Sequence, residues 1–120
     1  MAKRLLVIGA CGDIGQGIAF GALARGFRVV ATGRSADRLE QLYGGSGIAT
    51  VVGDVTTAEA SAALWEAAQA PFSGLDAVVI SVNAPNAVKP LLDFSADEMA
   101  QVFADNLLTH FNACAAIVPQ

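Results

Sequence analysis

Short apolar runs alternate along this chain with longer stretches of helical periodicity. Leu5-Leu6-Val7-Ile8 is a continuous apolar run, the pattern of a parallel strand covered on both faces. A glycine-rich turn follows, then a helical stretch from about Ile14 to Arg25. There Ile14, Ile18 and Ala22 share one face with Ala19 and Leu23 beside them, and Gly26 supplies the stop. Arg28-Val29-Val30-Ala31-Thr32 reads as the second strand. Ser35 is placed to cap a helix running through Leu39 to Tyr43, which Gly44-Gly45 ends. Ile48-Ala49-Thr50-Val51-Val52 reads as the third strand. Thr56 or Thr57 caps a helix from about Ala58 to Ala70, ended by Pro71. Ala77-Val78-Val79-Ile80 is the fourth strand, and Asn83-Ala84-Pro85-Asn86 a loop.

The last helix has the clearest start signal. Ser95 with Glu98 three positions on forms a capping box, and Asp97 adds negative charge to the first turn. The helix is expected to run from Ala96 to about Val118. Strand followed by helix, four times over, predicts an α/β fold: a parallel sheet with right-handed crossovers and helices on both faces. Residues 1–120 read as one domain with no linker, repeat or low-complexity segment.

Composition changes this picture in one respect. Apolar residues make up 54% of the chain and charged residues 15%, against about 25% charged in a typical soluble domain. Either the domain is unusually well buried, or part of its exterior meets more protein. The net charge of −4, with no basic run, argues against nucleic acid and against an anionic membrane surface. Cys11 and Cys114 lie far apart, and with His110 the only histidine no metal-ligand spacing exists. Reduced thiols in the cytoplasm are the expectation. The apolar run after Lys3 and Arg4 is interrupted by glycines and Asp13, too early for a membrane span.

The chief functional signal is Gly9-Ala10-Cys11-Gly12-Asp13-Ile14-Gly15, a GxxGxxG pattern that follows a predicted strand and opens a predicted helix. Gly9 permits a tight turn, Gly12 lets backbone approach a diphosphate, and Gly15 lets the helix lie close to the sheet. Free N–H groups at the helix start would hold the phosphates. The plainer alternative is a glycine-rich turn in an ordinary α/β domain. Asp13 would repel a diphosphate, so its side chain is expected to turn away or to cap the helix.

The second signal is the end of strand two. A domain that selects NAD usually places an acid there for the ribose hydroxyls. Here the run is Ala31-Thr32-Gly33-Arg34-Ser35. Arg34 is suited to pair with a 2′-phosphate, with Ser35 as a further donor. This favours NADP over NAD as the cofactor; Arg34 as a solvated surface charge is the alternative.

These pieces together resemble the short-chain dehydrogenase/reductase family, across all 120 residues. The glycine motif at residues 9–15 is similar in spacing to that of extended or atypical members, and Ile8 stands where many members have threonine. Gly53-Asp54-Val55 resembles the segment in which an aspartate binds the adenine ring and the next residue packs against it. Ser81-Val82-Asn83-Ala84-Pro85 stands where the family has its NNAG segment beside the nicotinamide ribose, with proline in place of the glycine. The stretch from Pro90 through Ser95 to Asp105-Asn106-Leu107-Leu108 resembles the segment leading to the helix asparagine of the catalytic tetrad. From its surroundings alone, Asn106 reads as structural, a mid-helix amide needing a specific hydrogen-bond partner.

The resemblance implies a Rossmann-type sheet, incomplete at about four βα units. It implies an oxidoreductase transferring a hydride between NADP(H) and a small-molecule carbonyl or alcohol. Asn106 would take part in a water-linked proton relay to a lysine. The family's tyrosine acts as general acid/base, its lysine lowers the tyrosine pKa, and its serine orients substrate. An unshifted tyrosine near pKa 10 is a poor base at neutral pH, which is why a cation is needed. Neither Tyr43 nor Lys89 fits these roles: the residue four after Tyr43 is Gly47, and Lys89 has no tyrosine partner. The serine and the YxxxK pair are expected beyond Gln120. The chain is thus expected to be an N-terminal half, inactive alone, whose fourth strand would otherwise be an apolar edge.

The last helix carries Met99, Phe103, Leu107 and Phe111, more apolar surface than one buried stripe needs. It is expected to pack against a second subunit, as in the family. Three other classes compete: a non-catalytic NAD(P)-binding sensor, a structural interaction module, and a methyltransferase. Nucleotide binding separates the module from the rest, and a methyltransferase normally wants an acid where Gly33-Arg34 stand.

Overall fold

The computed structural model describes residues 2–84 and 88–119. Its elements follow the alternation of the sequence. They are β1 (Arg4–Ile8), α1 (Asp13–Ala24), β2 (Arg28–Gly33), α2 (Ala36–Tyr43), β3 (Ala49–Val52) and α3 (Ala58–Gln69), then β4 (Ala77–Ile80), α4 (Ala96–Phe103) and α5 (Thr109–Ile117). Among the described residues the four strands form one parallel sheet in the order β3-β2-β1-β4. The order reverses direction between β2 and β4, on either side of β1. In such sheets a crevice opens at this switch point, above the carboxyl ends of the strands.

Apolar residues run without interruption along the central strands because both faces are covered. Leu5, Val7, Val29 and Ala31 face α1 and α2, where they meet Ala19, Leu39 and Tyr43. Leu6, Ile8 and Val30 face the other way, toward Leu64 and Ala68 of α3 and Ala113 of α5. Successive residues thus serve opposite layers, as the period of two requires. Leu6 and Leu39 are both almost wholly buried, a burial that stabilises the fold by about 2 kcal/mol each.

The start of β4 is fixed to β1 by Arg4. Its guanidinium forks onto Asp76, with Nε 3.0 Å from Oδ2 and Nη2 3.0 Å from Oδ1, while Nη1 reaches the Ser73 carbonyl at 3.0 Å. Hydrogen bonds from Arg4 hold the Asp76 carboxyl well below the usual carboxylate range. This clamp sets the register in which Leu5 lies opposite Ala77. Cross-sheet register in turn decides which backbone groups line the crevice at the far end.

Caps agree with the sequence signals. The Ser35 hydroxyl accepts from Arg38 N at 3.2 Å, and Thr57, rather than Thr56, caps α3 by accepting from Ala60 N. The Ser95–Glu98 capping box is formed in both directions. Three details differ from the expected pattern. Ile14 is exposed, because the first turn of α1 projects past the end of the sheet and the apolar face starts only at Gly15 and Ile18. Pro71 does not end the helical path after α3: it occupies the first turn of a 3₁₀ segment, Ala70–Phe72, where its missing N–H costs nothing. The long last helix is interrupted by a turn of π-helix over Ala104–Leu108. Among the described residues no helix is long and apolar enough to cross a membrane.

Candidate functional site

The crevice above β1 is built on the turn that leaves Ile8. Gly9 has φ +84°, a left-handed conformation that disfavours any side chain, and a Cβ there would collide with the carbonyl oxygen of Ser81. Gly15 lies so close to the turn that a Cβ on it would collide with the Gly9 carbonyl and stand 2.9 Å from the Ala10 Cα. These two glycines therefore let the loop fold flat against both β4 and the start of α1. Gly12 differs: a Cβ there meets only the Gly9 carbonyl oxygen, at 3.9 Å, so the glycine leaves its backbone open. Gly12 is the N-cap of α1 and has no side chain to satisfy the first N–H groups, which stay available to a ligand.

The middle of the loop is held from behind. Ala10 N donates to the Thr32 carbonyl at 3.0 Å, and the Tyr43 hydroxyl donates to the Ala10 carbonyl. Gln16 Nε2 donates to the Cys11 carbonyl at 3.1 Å. Tyr43 is buried and stacks on Phe20 with ring centroids 5.2 Å apart. Burial pushes its hydroxyl up to about 12, with the neighbouring Cys11 adding to the shift. Tyr43 is thus a neutral prop beneath the loop.

A cleft of about 220 Å³ opens above this loop. Gly9, Cys11 and Gly12 form one wall. Thr32, Gly33 and Arg34 form the next, at the end of β2, followed by Gly53, Asp54, Val55 and Thr56 after β3. Ser81, Val82, Asn83 and Ala84 after β4 close the far side, with Asp105 and Thr109 from the π-turn and α5. Of the residues singled out from sequence, Gly9, Cys11, Gly12, Arg34, Asp54, Val55, Asn83 and Ala84 are therefore brought together. Asp13, Ile14 and Gly15 line a second hollow beside it that shares Gly12, Ser81 and Asn83. Asp13 makes no cap; it is exposed in the first turn of α1. Ser35 stays outside the cleft lining, with its hydroxyl oxygen engaged by Arg38 N. Pro85 lies outside the described residues.

Asn106 does not line the cleft but reaches it through the backbone. Its Oδ1 accepts from Ala84 N at 3.0 Å and its Nδ2 donates to the Val102 carbonyl at 3.0 Å. The π-turn places the amide at this height, a local irregularity of the sort that recurs at functional sites. At the β3 end of the cleft, Asn112 Nδ2 donates to the Val55 carbonyl at 3.2 Å and so fixes the segment after β3. Asp54 accepts from the Thr56 hydroxyl and backbone N–H. Those bonds hold its carboxyl below the usual range, and the charge of Arg34 pulls it the same way.

Sequence reasoning gave no cleft role to Thr32, Thr56, Asp105 or Thr109. Thr32 is 1% exposed, and its Oγ1 has no hydrogen-bond partner among the described residues. Its position at the carboxyl end of a parallel strand was the one signal it carried, since that edge builds the crevice. Asp105 and Thr109 arrive only through the π-turn and had no signal in the periodicity.

Comparison with known proteins agrees with this architecture. A family model described as short chain dehydrogenase matches residues 3–120. Among solved structures, a short chain dehydrogenase from Mycobacterium smegmatis is 29% identical, with a TM-score of 0.87 over 98% of this chain and 51% of its own. ElxO with NADP bound is 20% identical, with a TM-score of 0.85 over 99% of this chain and 50% of its own. NAD+-bound xylitol dehydrogenase is 24% identical, with a TM-score of 0.88 over 98% of this chain and 47% of its own. A search of curated proteins gives no match. The chain spans about half the length of the solved structures it matches. Its sheet, its glycine turn and the match over residues 3–120 place it together: the chain belongs to the short-chain dehydrogenase family.

Proposed function

We propose that the cleft binds NADP(H) and that the chain supplies the nucleotide-binding half of an oxidoreductase acting on a small carbonyl or alcohol. The observation that carries this reading is the corner where Arg34 lines the cleft beside Gly33, the last residue of β2, with no acid on that strand end. Gly12 and the start of α1 fit a diphosphate, because the loop there is open and its N–H groups are uncapped. Arg34 fits a 2′-phosphate through its planar pair of donors. Ser35 retains a hydroxyl proton to donate. Asp54 and Val55 are assigned to the adenine ring, and Asn83 and Ala84 to the nicotinamide ribose. Cys11, Asp13, Ile14 and Gly15 flank the diphosphate.

Bound in this way, the nicotinamide supplies or accepts the hydride. The chain's own residues position it. Asn106 holds the Ala84 N–H, and so the loop after β4, at a fixed height over the cleft. One Nδ2 hydrogen and one Oδ1 lone pair of its amide remain for an ordered water, the part a proton relay requires. The exposed side chains of Phe103, Leu107, Leu108 and Phe111 support the association of two copies through the last helix.

The test is a titration of the 120-residue chain with NADPH and with NADH, repeated on Arg34→Ala. NADPH is expected to bind more tightly, and Arg34→Ala to weaken it about tenfold while leaving NADH unchanged. Equal affinity for the two dinucleotides, or equal losses on substitution, would remove Arg34 from the assignment.

A further inference from the structure

The π-turn and α5 carry their polar residues inward and their apolar residues outward. Asp105, Asn106, Thr109 and Asn112 follow helical spacing and are half-buried or buried, while Leu107, Leu108 and Phe111 between them are exposed. A polar side chain turned into the fold needs a partner there. Three of the four have one. Asn106 holds the Ala84 N–H and the Val102 carbonyl, Thr109 donates to the Asp105 carbonyl at 3.0 Å, and Asn112 donates to the Val55 carbonyl. Each of these bonds fixes backbone.

Asp105 is the exception. Its Oδ1 accepts from Gln101 Nε2 at 2.8 Å, one turn earlier on the exposed side of the helix. Its second oxygen has no partner among the described residues, and no cation there pairs with it. Asp105 nonetheless lines the cleft together with Thr109. The same cleft is lined by Thr32, 1% exposed, whose hydroxyl is likewise without a partner among the described residues. Two polar groups that the fold leaves unsatisfied, at one cavity, point to a polar ligand in it.

The position of Asp105 narrows the ligand group. Asn112 and Ala113 of the same helix pack on Val55, so Asp105, two turns earlier, rises beside the segment after β3. That segment is the place proposed for the adenine. A carboxylate can only accept, and the strong donor on an adenine edge is its 6-amino group. Asp54, on the same segment, already spends its Oδ1 on the Thr56 hydroxyl and N–H. We infer that Asp105 is a specificity-determining residue. Its carboxylate accepts from the 6-amino group of the base, and so the cleft rejects a dinucleotide with a 6-oxo base, which would set acceptor against acceptor. The inference rests on the proposal that the cleft takes NADP(H).

The test is a titration of the full chain with NADPH and with its hypoxanthine counterpart, which carries a 6-oxo group in place of the 6-amino group. The native chain is expected to prefer NADPH at least about tenfold. Asp105→Asn keeps an oxygen for Gln101 and offers the base an amide donor in place of the second oxygen. It should weaken NADPH about tenfold, strengthen the 6-oxo counterpart and so reverse the preference. Asp105→Ala offers the base neither group and should narrow the preference without reversing it. The loss on Asp105→Asn should recur in full with 2′,5′-ADP, which keeps the adenine and lacks the nicotinamide half. A preference that Asp105→Asn leaves unchanged, or a loss seen with NADPH and not with 2′,5′-ADP, overturns the inference while NADPH binding stands. A native chain that binds neither NADPH nor 2′,5′-ADP overturns the proposed function and this inference with it, so the two failures are distinguishable.

Discussion

The Tyr43 hydroxyl donates to the carbonyl of Ala10, thirty-three residues away at the back of the glycine loop. The same Ala10 gives its N–H to Thr32, so one residue of the loop is tied to both α2 and β2. Tyr43→Phe keeps the ring and its stack on Phe20 but leaves the Ala10 carbonyl without its donor. The expected loss is about 1–2 kcal/mol of stability, read by denaturant titration. The native chain should also have an alkaline limit set by this group. Its folded-state pKa, raised to about 12, exceeds the unfolded value of about 10. The stabilising contribution is therefore whole below about pH 10 and is lost as pH rises toward the folded value. Tyr43→Phe should flatten that limb, and a native chain whose melting temperature is level from pH 9 to about 12 would contradict the burial of the hydroxyl.

Gly9 and Gly17 make a matched pair of substitutions. Gly9→Ala forces a side chain into a left-handed conformation and against the Ser81 carbonyl, and is expected to cost about 3 kcal/mol or more. Gly17 lies on the exposed face of α1, where an added Cβ would meet nothing within 4 Å. Gly17→Ala should therefore stabilise the chain by about 0.5–1 kcal/mol through helix propensity. Chemical denaturation of both variants checks the pair; similar effects would mean that the loop is not packed as described.

Much of this architecture was legible because the two central strands are buried on both faces and their residues announce it. Leu5 to Ile8 and Val29 to Ala31 are apolar at every position, as two covered faces demand. The glycine turn was legible from its place between a strand and a helix. Local chemistry was legible too, as in the Ser95–Glu98 box. What escaped depends on contacts between distant segments. Ile14 keeps the helical spacing of Ile18 yet projects past the sheet, and spacing carries no information about where a sheet ends. The π-turn at Ala104–Leu108 brings Asn106 within reach of Ala84, twenty-two residues earlier, and a continuous apolar helix has the same pattern with or without it. Thr32 read as one more strand residue, because its unpartnered hydroxyl is a property of the cleft and not of the strand.

Asn106→Ala tests what that amide does. The half-buried Ala84 N–H loses its acceptor, at an expected cost of about 1–2 kcal/mol. Exchange of the Ala84 amide with solvent should accelerate while amides of β1 keep their protection. For binding, the comparison is between NADPH and 2′,5′-ADP, which lacks the nicotinamide ribose. Asn106→Ala should weaken NADPH several-fold and leave 2′,5′-ADP unchanged, since the loop after β4 is the place proposed for the missing half. Equal losses for both ligands would make Asn106 a general structural residue.

The two thiols offer a chemical map of the cleft. Cys114 is exposed on α5, whereas Cys11 is half-buried in the glycine loop, where burial pushes its thiol up. The thiolate is the reactive form, so near neutral pH Cys11 is both less available and less ionised than an ordinary thiol. Iodoacetamide should therefore label Cys114 first and Cys11 slowly, as followed by peptide mass spectrometry. Saturating NADPH should slow Cys11 further, because a diphosphate over Gly12 covers the loop from the cleft side, and should leave Cys114 at its original rate. 2′,5′-ADP should protect Cys11 less than NADPH does, since it carries no diphosphate bridge. Labelling of Cys11 at one rate with and without NADPH would place the nucleotide elsewhere, and the assignment of the glycine loop to the diphosphate would fall.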